Sequence, residues 1–589
     1  MSHLSEVLQA ISPDNVRRYV EHVASHIPSR LAGSENGRRM AEYNALALSQ
    51  AGVEAAVQET LALVSFPEAG EFEVISPRRE TVPCFTCAHS LQTPEDGLTG
   101  PLVFAGAGSA EDFERLDVAG KIALCENSYA PARMEKQRLA ALRGAAGIVF
   151  MNWGHPDSDT LPLGSVKSAW GNPTPETWRD EMPKMPAIGI SRASGIALQE
   201  QCRAGPVDVR IKTAVENCWR PVQITVGELM PPGRDDFVLL GGHQDSWFGE
   251  AATDNAAGNG CIIELARIFA GRRDQLRRGL VFGFWTAHET GTMVGSSWFA
   301  DQNWDRLRRN AVAYVSIDQP GCVGTSRWLT KSNLEMRSFH QRIERELLSM
   351  PIDWKPQNKG GDASFFGLGI PMIYGMASFS ADQLRDTANA NLGWWHHSTE
   401  CTVDKVDFGA MGDHLRVYAS WLWELCTAPI LPFEFKPVAG QFLERLQELD
   451  RSPGASDLGL TALVQVAAQF QSAAHDLDET VCRLRQVPEN TPGFERSAGI
   501  LNTCLKRLSN KLIPVQSTVK GVYGHDPYGY TPQHSVIPCL HDVPRYASLP
   551  VGSHERILMH TQLVRERNRV ADALNDSREL IEDALSRVA

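Results

Sequence analysis

Long hydrophobic runs are missing from this sequence. The longest apolar stretches, of which Gly279–Trp285 is typical, are far shorter than the roughly 20 residues that a membrane-spanning helix requires. The N-terminal residues also lack the basic stretch and apolar segment that together mark a signal peptide. These absences predict that the protein has no membrane partner and a cytoplasmic location.

Positive charge is also in short supply. The chain has 57 Lys and Arg against 70 Asp and Glu, which gives a formal net charge of −13. This balance favours solubility and argues against nucleic acid as a partner, because nucleic acids attract basic proteins. Low-complexity segments and internal repeats are absent as well. A composition of 43% hydrophobic and 22% charged residues is typical of a globular protein.

The sequence contains no convincing cysteine motif. Its 12 cysteines are spread from Cys84 to Cys539, and the C-x-x-C formed by Cys84 and Cys87 has no second pair. A zinc or redox motif would need such a pair or a thioredoxin-like context. We therefore expect mostly free, buried thiols, as in other proteins of a reducing compartment.

The length of 589 residues is too great for one hydrophobic core, so about two to four domains are expected. Ser12-Pro13 predicts the start of one helix, and the segment from Ser34 to Gly52 predicts another. Between about 75 and 220 the strands are short, and proline and glycine are frequent. This texture indicates a compact module inserted into another domain.

From 222 to about 430, uninterrupted apolar strands alternate with helices. This alternation predicts an α/β fold with a mixed, mostly parallel sheet flanked by helices. Beyond Pro432 a helical period dominates, and the stretch 514–552, which is rich in proline, tyrosine and histidine, predicts a loop. Helices are predicted at Val438–Leu449, Leu460–Leu484 and Arg556–Leu585.

Residues of the metal-ligand type follow the predicted strands in order. They are His243, Asp254, Glu289, Asp318 and His397. The carboxyl ends of strands in an open α/β sheet are where ligands bind, and imidazole with carboxylate suits an ion such as zinc. Each residue alone is weak evidence, but two histidines and three carboxylates together can hold two ions about 3.5–4 Å apart.

At these residues the sequence resembles metallopeptidase family 28. The family pattern is a His-x-Asp, a later Asp, a Glu-Glu pair, another Asp, and a final His before Ser or Thr. Here His243-Gln244-Asp245 matches the first element and His288-Glu289 the pair. The segment Arg30–Ser34 resembles the family's N-terminal segment, and Gly120–Leu124 resembles part of a protease-associated domain.

The resemblance implies roles for the matching residues. Asp254 would bridge two divalent ions, with His243 and Asp318 on one and Glu289 and His397 on the other. Zinc is expected, although manganese, iron and cobalt suit the same donors. Asp245 would orient His243.

The resemblance also implies the domain organisation. A metallohydrolase domain would comprise 1–75 and 222–430, a β-rich protease-associated domain 76–221, and a helical domain 431–589. Leu431-Pro432-Phe433 opens a region that resembles the dimerisation domain of glutamate carboxypeptidase and transferrin receptor. A homodimer through the helical domain is therefore expected.

The sequence departs from the family at His288, where the family has a glutamate as general base. His288 is a candidate base, because an unperturbed imidazole titrates near 6.5. Alternatively, the substrate is an activated non-peptide bond that needs a weaker base, and His288 then binds substrate or a metal. A third alternative is a receptor-like protein that binds metal without catalysis.

Further site residues follow from the same resemblance. Arg545-Tyr546 is expected to match a pair that holds an acidic substrate end, because the planar guanidinium of arginine can bind a carboxylate through two hydrogen bonds. His396 replaces a tyrosine that stabilises the oxyanion and could donate the same hydrogen bond. Asp362 is expected to support the site without binding metal. The function expected is hydrolysis of an amide-like bond in a peptide, an N-acyl amino acid or a related small molecule, with a lyase as a further alternative.

Overall fold

The computed structural model describes residues 3–529 and 535–588. The described residues form sixteen strands: β1 (Glu54–Pro67), β2 (Glu71–Ser76), β3 (Glu80–Thr81), β4 (Cys84–Thr86), β5 (Leu98–Phe104), β6 (Ile122–Glu126), β7 (Gly147–Met151), β8 (Ala187–Ile190), β9 (Val207–Lys212), β10 (Val215–Leu229), β11 (Phe237–His243), β12 (Gly279–Trp285), β13 (Ala311–Ser316), β14 (Arg327–Ser332), β15 (Ile352–Pro356) and β16 (Met372–Ser378).

The α-helices in the same residues are α1 (His3–Gln9), α2 (Pro13–His26), α3 (Glu35–Gln50), α4 (Ala110–Arg115), α5 (Arg133–Leu142), α6 (Pro175–Glu181), α7 (Arg192–Ala204), α8 (Ala257–Ala270), α9 (Val294–Gln302), α10 (Trp304–Asn310), α11 (Arg337–Leu347), α12 (Ala381–Asp386), α13 (Phe408–Thr427), α14 (Lys436–Asp450), α15 (Leu460–Arg485), α16 (Phe494–Ser517), α17 (Val543–Ser548) and α18 (His554–Arg587). None of the described helices is long and apolar enough to cross a membrane.

The main sheet has eight strands in the order β1-β10-β12-β11-β13-β16-β14-β15. Its centre, β12-β11-β13-β16, is parallel, while β10 and β14 run antiparallel to their inner neighbours. Every residue of β11, β12 and β13 is buried, as expected for parallel strands that are covered on both faces. The predicted mixed, mostly parallel sheet is confirmed.

Helices cover both faces of this sheet. Val238 and Leu240 of β11 pack into the cluster that contains α2, α8 and α13, whereas Leu239 packs into the cluster formed with α9 and α10. The alternation follows from the period of two along a strand. Because both faces of the sheet are covered, a ligand can reach it only at the ends of the strands.

A second eight-stranded sheet, in the order β3-β2-β9-β5-β6-β7-β8-β4, forms the inserted β-rich module together with α4–α7. The long strands β1 and β10 belong to the main sheet, so the chain leaves it after Pro67 and returns at Val215. Both junctions therefore lie several residues before the predicted boundaries: the first precedes 75 because β2 already belongs to the second sheet, and the second precedes 222 because β10 pairs with β1 from Val215 onward.

The C-terminal region is helical, as predicted. α14, α15, α16 and α18 pack together, and their apolar residues join the core of the main domain at Phe433 and Phe435. α16 was not predicted and has Pro514 inside its last turn. The chain has 12 free cysteines, most of them buried, including Cys84 and Cys87.

Candidate metal centre

The five predicted ligands meet at the carboxyl edge of the main sheet. His243 is the last residue of β11, while Glu289 and Asp318 follow β12 and β13. Asp254 lies in the single turn Ala252–Ala256 before α8, and His397 lies in the loop between α12 and α13. Neighbouring parallel strands end at the same edge, so residues far apart in sequence are brought together there.

Asp254 stands between the other four side chains. One carboxylate oxygen, Oδ1, lies 3.0 Å from Nε2 of His243, and the other, Oδ2, lies 3.4 Å from Nε2 of His397. His243 Nε2 is also 3.5 Å from Asp318 Oδ1, and His397 Nε2 is 3.3 Å from Glu289 Oε1. The carboxylate of Asp254 thus faces two donor sets, one with each of its oxygens.

These donors fit divalent cations. His243 Nε2, Glu289 Oε1 and Asp318 Oδ1 are buried and make no hydrogen bond with the described residues. Burial and the nearby Asp254 raise the pKa of Glu289 well above its usual range, which reflects the cost of crowding carboxylates in a dry site. A bound cation would satisfy the orphaned atoms and offset the repulsion between the carboxylates.

The backbone presets the tautomer of His243. Its Nδ1 lies 2.9 Å from the backbone carbonyl oxygen of Asp245, so Nδ1–H donates there and Nε2 keeps a free lone pair. Asp245 was expected to orient His243, and the contact is made by its backbone carbonyl, while its carboxylate Oδ1 lies 3.9 Å from the same Nδ1. The carboxylate accepts hydrogen bonds of 3.1 Å from the backbone N–H groups of both His288 and Glu289. Asp245 therefore fixes the turn after β12.

Buried polar side chains hold the loops that carry the ligands. The Arg30 guanidinium is fully buried and donates to the backbone carbonyls of Gln244, Glu250 and Ala251. The Asn255 amide donates to the carbonyl of Ile317 at 3.0 Å. The N-terminal segment singled out in the sequence thus shapes the loop between His243 and Asp254, and Asn255 ties that loop to β13.

His288 sits against the donor set. Its ring stacks on His243 with 3.9 Å between centroids, and its Nδ1 lies 3.0 Å from Asp362 Oδ2. Burial and His243 lower the pKa of His288, but the Asp362 carboxylate outweighs them and raises the pKa to about 9. Cations bound nearby would oppose that rise. Asp362 is thus placed to hold one tautomer of His288, with the lone pair on Nε2.

A chain of hydrogen bonds continues behind Asp362. Ser296 Oγ donates to Asp362 Oδ1 at 2.8 Å and lies 2.8 Å from Ser364 Oγ, which accepts from the indole N–H of Trp170 at 2.8 Å. Trp170 belongs to the inserted module. The carboxylate that contacts His288 is therefore linked, through two hydroxyls, to another domain.

His396 lies beside the bridging carboxylate. Its Nδ1 is 3.2 Å from Asp254 Oδ2 and 2.9 Å from Nε2 of Gln319, and Trp153 stacks on its ring at 5.7 Å. The ring lines the cavity that opens over the donor residues, called the catalytic cavity below. An oxyanion formed in this cavity would have the His396 imidazole as a neighbour.

The catalytic cavity has a volume of about 320 Å³ and is walled by all three domains. The main domain supplies four of the five donors (Asp254, Glu289, Asp318 and His397) together with Lys331 and Lys359, the inserted module supplies Arg133, and the C-terminal region supplies Tyr528. A cavity of this size suits a dipeptide-sized molecule. Its basic side chains favour a substrate that carries negative charge.

Arg545 and Tyr546 do not line this cavity, and their expected role was wrong. They lie in α17, where exposed Arg545 pairs with Glu555, and buried Tyr546 places its hydroxyl 3.4 Å from Asp457 Oδ2. The segment that does enter the cavity comes earlier in the chain and carries Tyr528.

Tyr528 and Arg133 were missed from the sequence. The backbone N–H of Tyr528 donates to the carbonyl of Ser168 at 2.8 Å, and its ring meets Trp170 edge-on. Arg133 begins α5 and donates to the carbonyl of Ser165. The proline- and tyrosine-rich composition of 514–552 was the only signal for Tyr528, and it does not distinguish one tyrosine from another.

Comparison with known proteins agrees with this geometry. Residues 225–422, which include all five donors, match the model of Peptidase family M28, and residues 98–198 match that of the PA domain. The chain is 25% identical over 296 residues to the Probable lipoprotein aminopeptidase LpqL of Mycobacterium tuberculosis, covering 49% of this chain and 54% of that protein. It is 23% identical over 531 residues to the Probable glutamate carboxypeptidase AMP1 of Arabidopsis thaliana, covering 75% and 72%.

Among solved structures, the zinc aminopeptidase BSAP from Bacillus subtilis matches with a TM-score of 0.54 at 18% identity, covering 71% of this chain and 96% of that one. At this identity the match shows the fold alone. The aligned part spans about half the length of the mycobacterial relative. The chain thus contains a segment that matches Peptidase family M28 and, inserted before it, one that matches the PA domain.

Proposed function

We propose that this protein is a metal-dependent hydrolase that cleaves an amide bond in a small, negatively charged substrate such as a peptide or an N-acyl amino acid. The observation that carries the proposal is the position of Asp254, whose two oxygens face His243 on one side and His397 on the other. Two divalent ions, most suitably zinc, would be held by His243, Asp254, Glu289, Asp318 and His397. The zinc aminopeptidase likeness supports the choice of metal.

Bound ions would polarise the scissile carbonyl and activate the attacking water. His288 would take the proton of that water on Nε2, because Asp362 occupies Nδ1. His396 would donate a hydrogen bond to the developing oxyanion. Arg133, Lys331 and Lys359 line the cavity and would hold the negative charge of the substrate.

His288 also favours a second candidate, a bond more reactive than a peptide amide. A protonated imidazole next to bound cations is less stable than a neutral carboxylic acid, so His288 is a weaker base than glutamate in this position. An activated amide or ester, whose leaving group needs less help, would tolerate that weakness. A nitrogen of His288 lies within 4.8 Å of the donor atoms of His243 and Asp318, so metal binding by His288 is a further outcome to test.

The test is elemental analysis of the purified chain, followed by turnover of dipeptides, N-acyl amino acids and activated esters by the same sample. We expect about two ions per chain and turnover of substrates with a carboxylate. Two ions with turnover of esters alone would favour the activated-bond candidate, and ions without any turnover would favour a receptor-like role. A protein without a bound transition metal would overturn the proposal.

The expected homodimer through 431–589 and the cytoplasmic location form part of the proposal. The dimer is tested by sedimentation of the full chain, for which a monomer at micromolar concentration is the contrary result. The location is tested by fractionation of cells.

A further inference from the structure

A row of side chains leads outward from the metal centre across three strands of the main sheet. Lys331 of β14 is in register with Tyr374 of β16 on one side and with Lys355 of β15 on the other. Residues in register on neighbouring strands project from the same face of a sheet, with strands about 4.8 Å apart. Lys331 and Tyr374 line the catalytic cavity, so Lys355 extends the same face beyond it.

The two lysines are neighbours of like charge. Within the part of the chain that the structure describes, neither ammonium group makes a hydrogen bond or an ion pair with another residue, and that of Lys331 lies 5.8 Å from the ring centroid of Tyr374. Asp353 projects from the same face, but both of its oxygens are bonded to Arg327, at 2.8 and 2.9 Å. Like charges directly opposite each other destabilise a sheet. An external anion would relieve the repulsion.

A second cavity, of about 390 Å³, opens over this lysine pair. It is lined by both lysines and by the amide side chains of Asn333, Gln357, Asn358, Gln441 and Gln516. Among the described residues that line it there is no acidic side chain. Ammonium groups surrounded by amide donors form a typical environment for phosphate or carboxylate oxygens.

The two cavities share part of their walls. Lys331, Gln357 and Asn358 line both the catalytic cavity and the second one. Lys331 thus stands at the boundary between the two cavities, next to a ligand in either one. Gln441 and Gln516 come from α14 and α16, so the helical domain closes the far side.

We propose that the second cavity is an anion-binding subsite, in which Lys331 and Lys355 hold a phosphate or carboxylate at the far end of an elongated substrate. The assignment of the anion to the substrate rests on the proposed function. The binding of the anion itself depends only on the lysine pair.

The first test measures anion binding without turnover. Sodium sulfate is titrated into the full-length, metal-loaded protein at constant ionic strength, and the dissociation constant is obtained from the thermal shift. Lys355→Met is expected to weaken the binding about three- to tenfold, whereas Lys355→Arg should retain it. Lys436→Met, at an exposed lysine that begins α14, is the matched control and should leave binding unchanged. Equal sulfate affinity in wild type and Lys355→Met would overturn the subsite.

The second test assigns the anion to the substrate. Two amide substrates are compared that differ only in a terminal phosphate or carboxylate several bonds from the scissile group. The wild type should show a lower KM for the charged substrate, and in Lys355→Met the ratio of the two KM values should fall towards one. Lysine-dependent sulfate binding with an unchanged ratio would overturn the assignment to the substrate and make the ligand a free anion. Sulfate binding without turnover of any substrate would instead count against the proposed hydrolase and leave the anion site standing.

Discussion

The floor and the walls of the catalytic cavity are built in different ways. The floor consists of donors at one edge of the main sheet, held by backbone contacts such as the carbonyl of Asp245 on His243. The walls come from separate domains, with Arg133 from the inserted module and Tyr528 from the C-terminal region. The difference teaches that the donors are fixed within one domain, whereas the shape and charge of the cavity above them depend on how three regions of the chain pack.

The largest effect is expected when the bridging carboxylate of Asp254 is removed from the floor of the cavity. Asp254→Ala should lose both ions and reduce turnover by more than about a thousandfold, because donors on both sides lose their shared partner. Elemental analysis and kcat/KM on the same sample measure both effects. The exposed Asp386 provides the control, since Asp386→Ala should change neither value. Retention of two ions by Asp254→Ala would refute the bridging role.

The next largest effect should come from His288, which lies at the floor but is not expected to bind metal. His288→Ala should keep both ions and lose about a hundred- to ten-thousandfold in kcat, the range for a general base. His288→Glu is the informative companion, because it supplies a base that becomes neutral on protonation. Full activity of His288→Ala would remove His288 from the mechanism, and loss of an ion would make it a ligand.

Asp362 connects the floor to the walls and should have an intermediate effect. Asp362→Asn is expected to lower kcat about ten- to a hundredfold with little change in KM or metal content, as for other residues that orient a site group. His288 accepts a proton only when it is neutral, so kcat should rise as the pH rises through its pKa. The Asp362 carboxylate raises that pKa, and its removal should therefore move the acid limb of the kcat profile to lower pH. An unshifted acid limb would argue against this contact.

Residues of the walls should affect substrate binding more than turnover. Arg133→Met is expected to raise KM for an acidic substrate about tenfold with kcat little changed, since a hydrogen bond to a charged group contributes about 1.5–3 kcal/mol. Steady-state kinetics with an acidic and a neutral substrate distinguish the two effects. Equal changes for both substrates would mean that Arg133 holds the domain in place and does not bind the charge.

The smallest effect is expected for Arg545, which belongs to neither the floor nor the walls of the cavity. Its side chain is exposed and pairs with Glu555 away from the cavity, so Arg545→Met should change kcat and KM less than about twofold, as surface substitutions usually do. The same kinetic assay used for Arg133 measures it. A rise in KM for the acidic substrate alone would restore Arg545 to the site.

The part of the site that the sequence predicted is the part carried by one sheet. The order of ligand-type residues after apolar strands was enough, because the edge of a parallel sheet brings them together. Tyr528 was beyond prediction because its place depends on a backbone contact with Ser168 in another domain. For Asp245 the sequence could not show which atoms act: its backbone carbonyl contacts His243, whereas its carboxylate accepts hydrogen bonds from the backbone of His288 and Glu289.

The fold shows the same division. Fully apolar runs identified the central strands, but the junctions of the inserted module differ from the predicted ones because β2 pairs into the second sheet and because the first half of β10 is largely exposed. α16 was missed although it is 24 residues long. Its proline stands in the last turn, and a proline at that point of a sequence resembles the start of a loop.

The hydrogen-bond chain from Trp170 to Asp362 has a mechanical consequence. A swing of the inserted module away from the main sheet would pull the indole from Ser364 and release the far end of the chain that steadies Asp362. One movement would then both open the cavity and loosen the position of His288, the proposed proton acceptor. The contact that positions His288 thus depends on how the inserted module is seated on the main sheet.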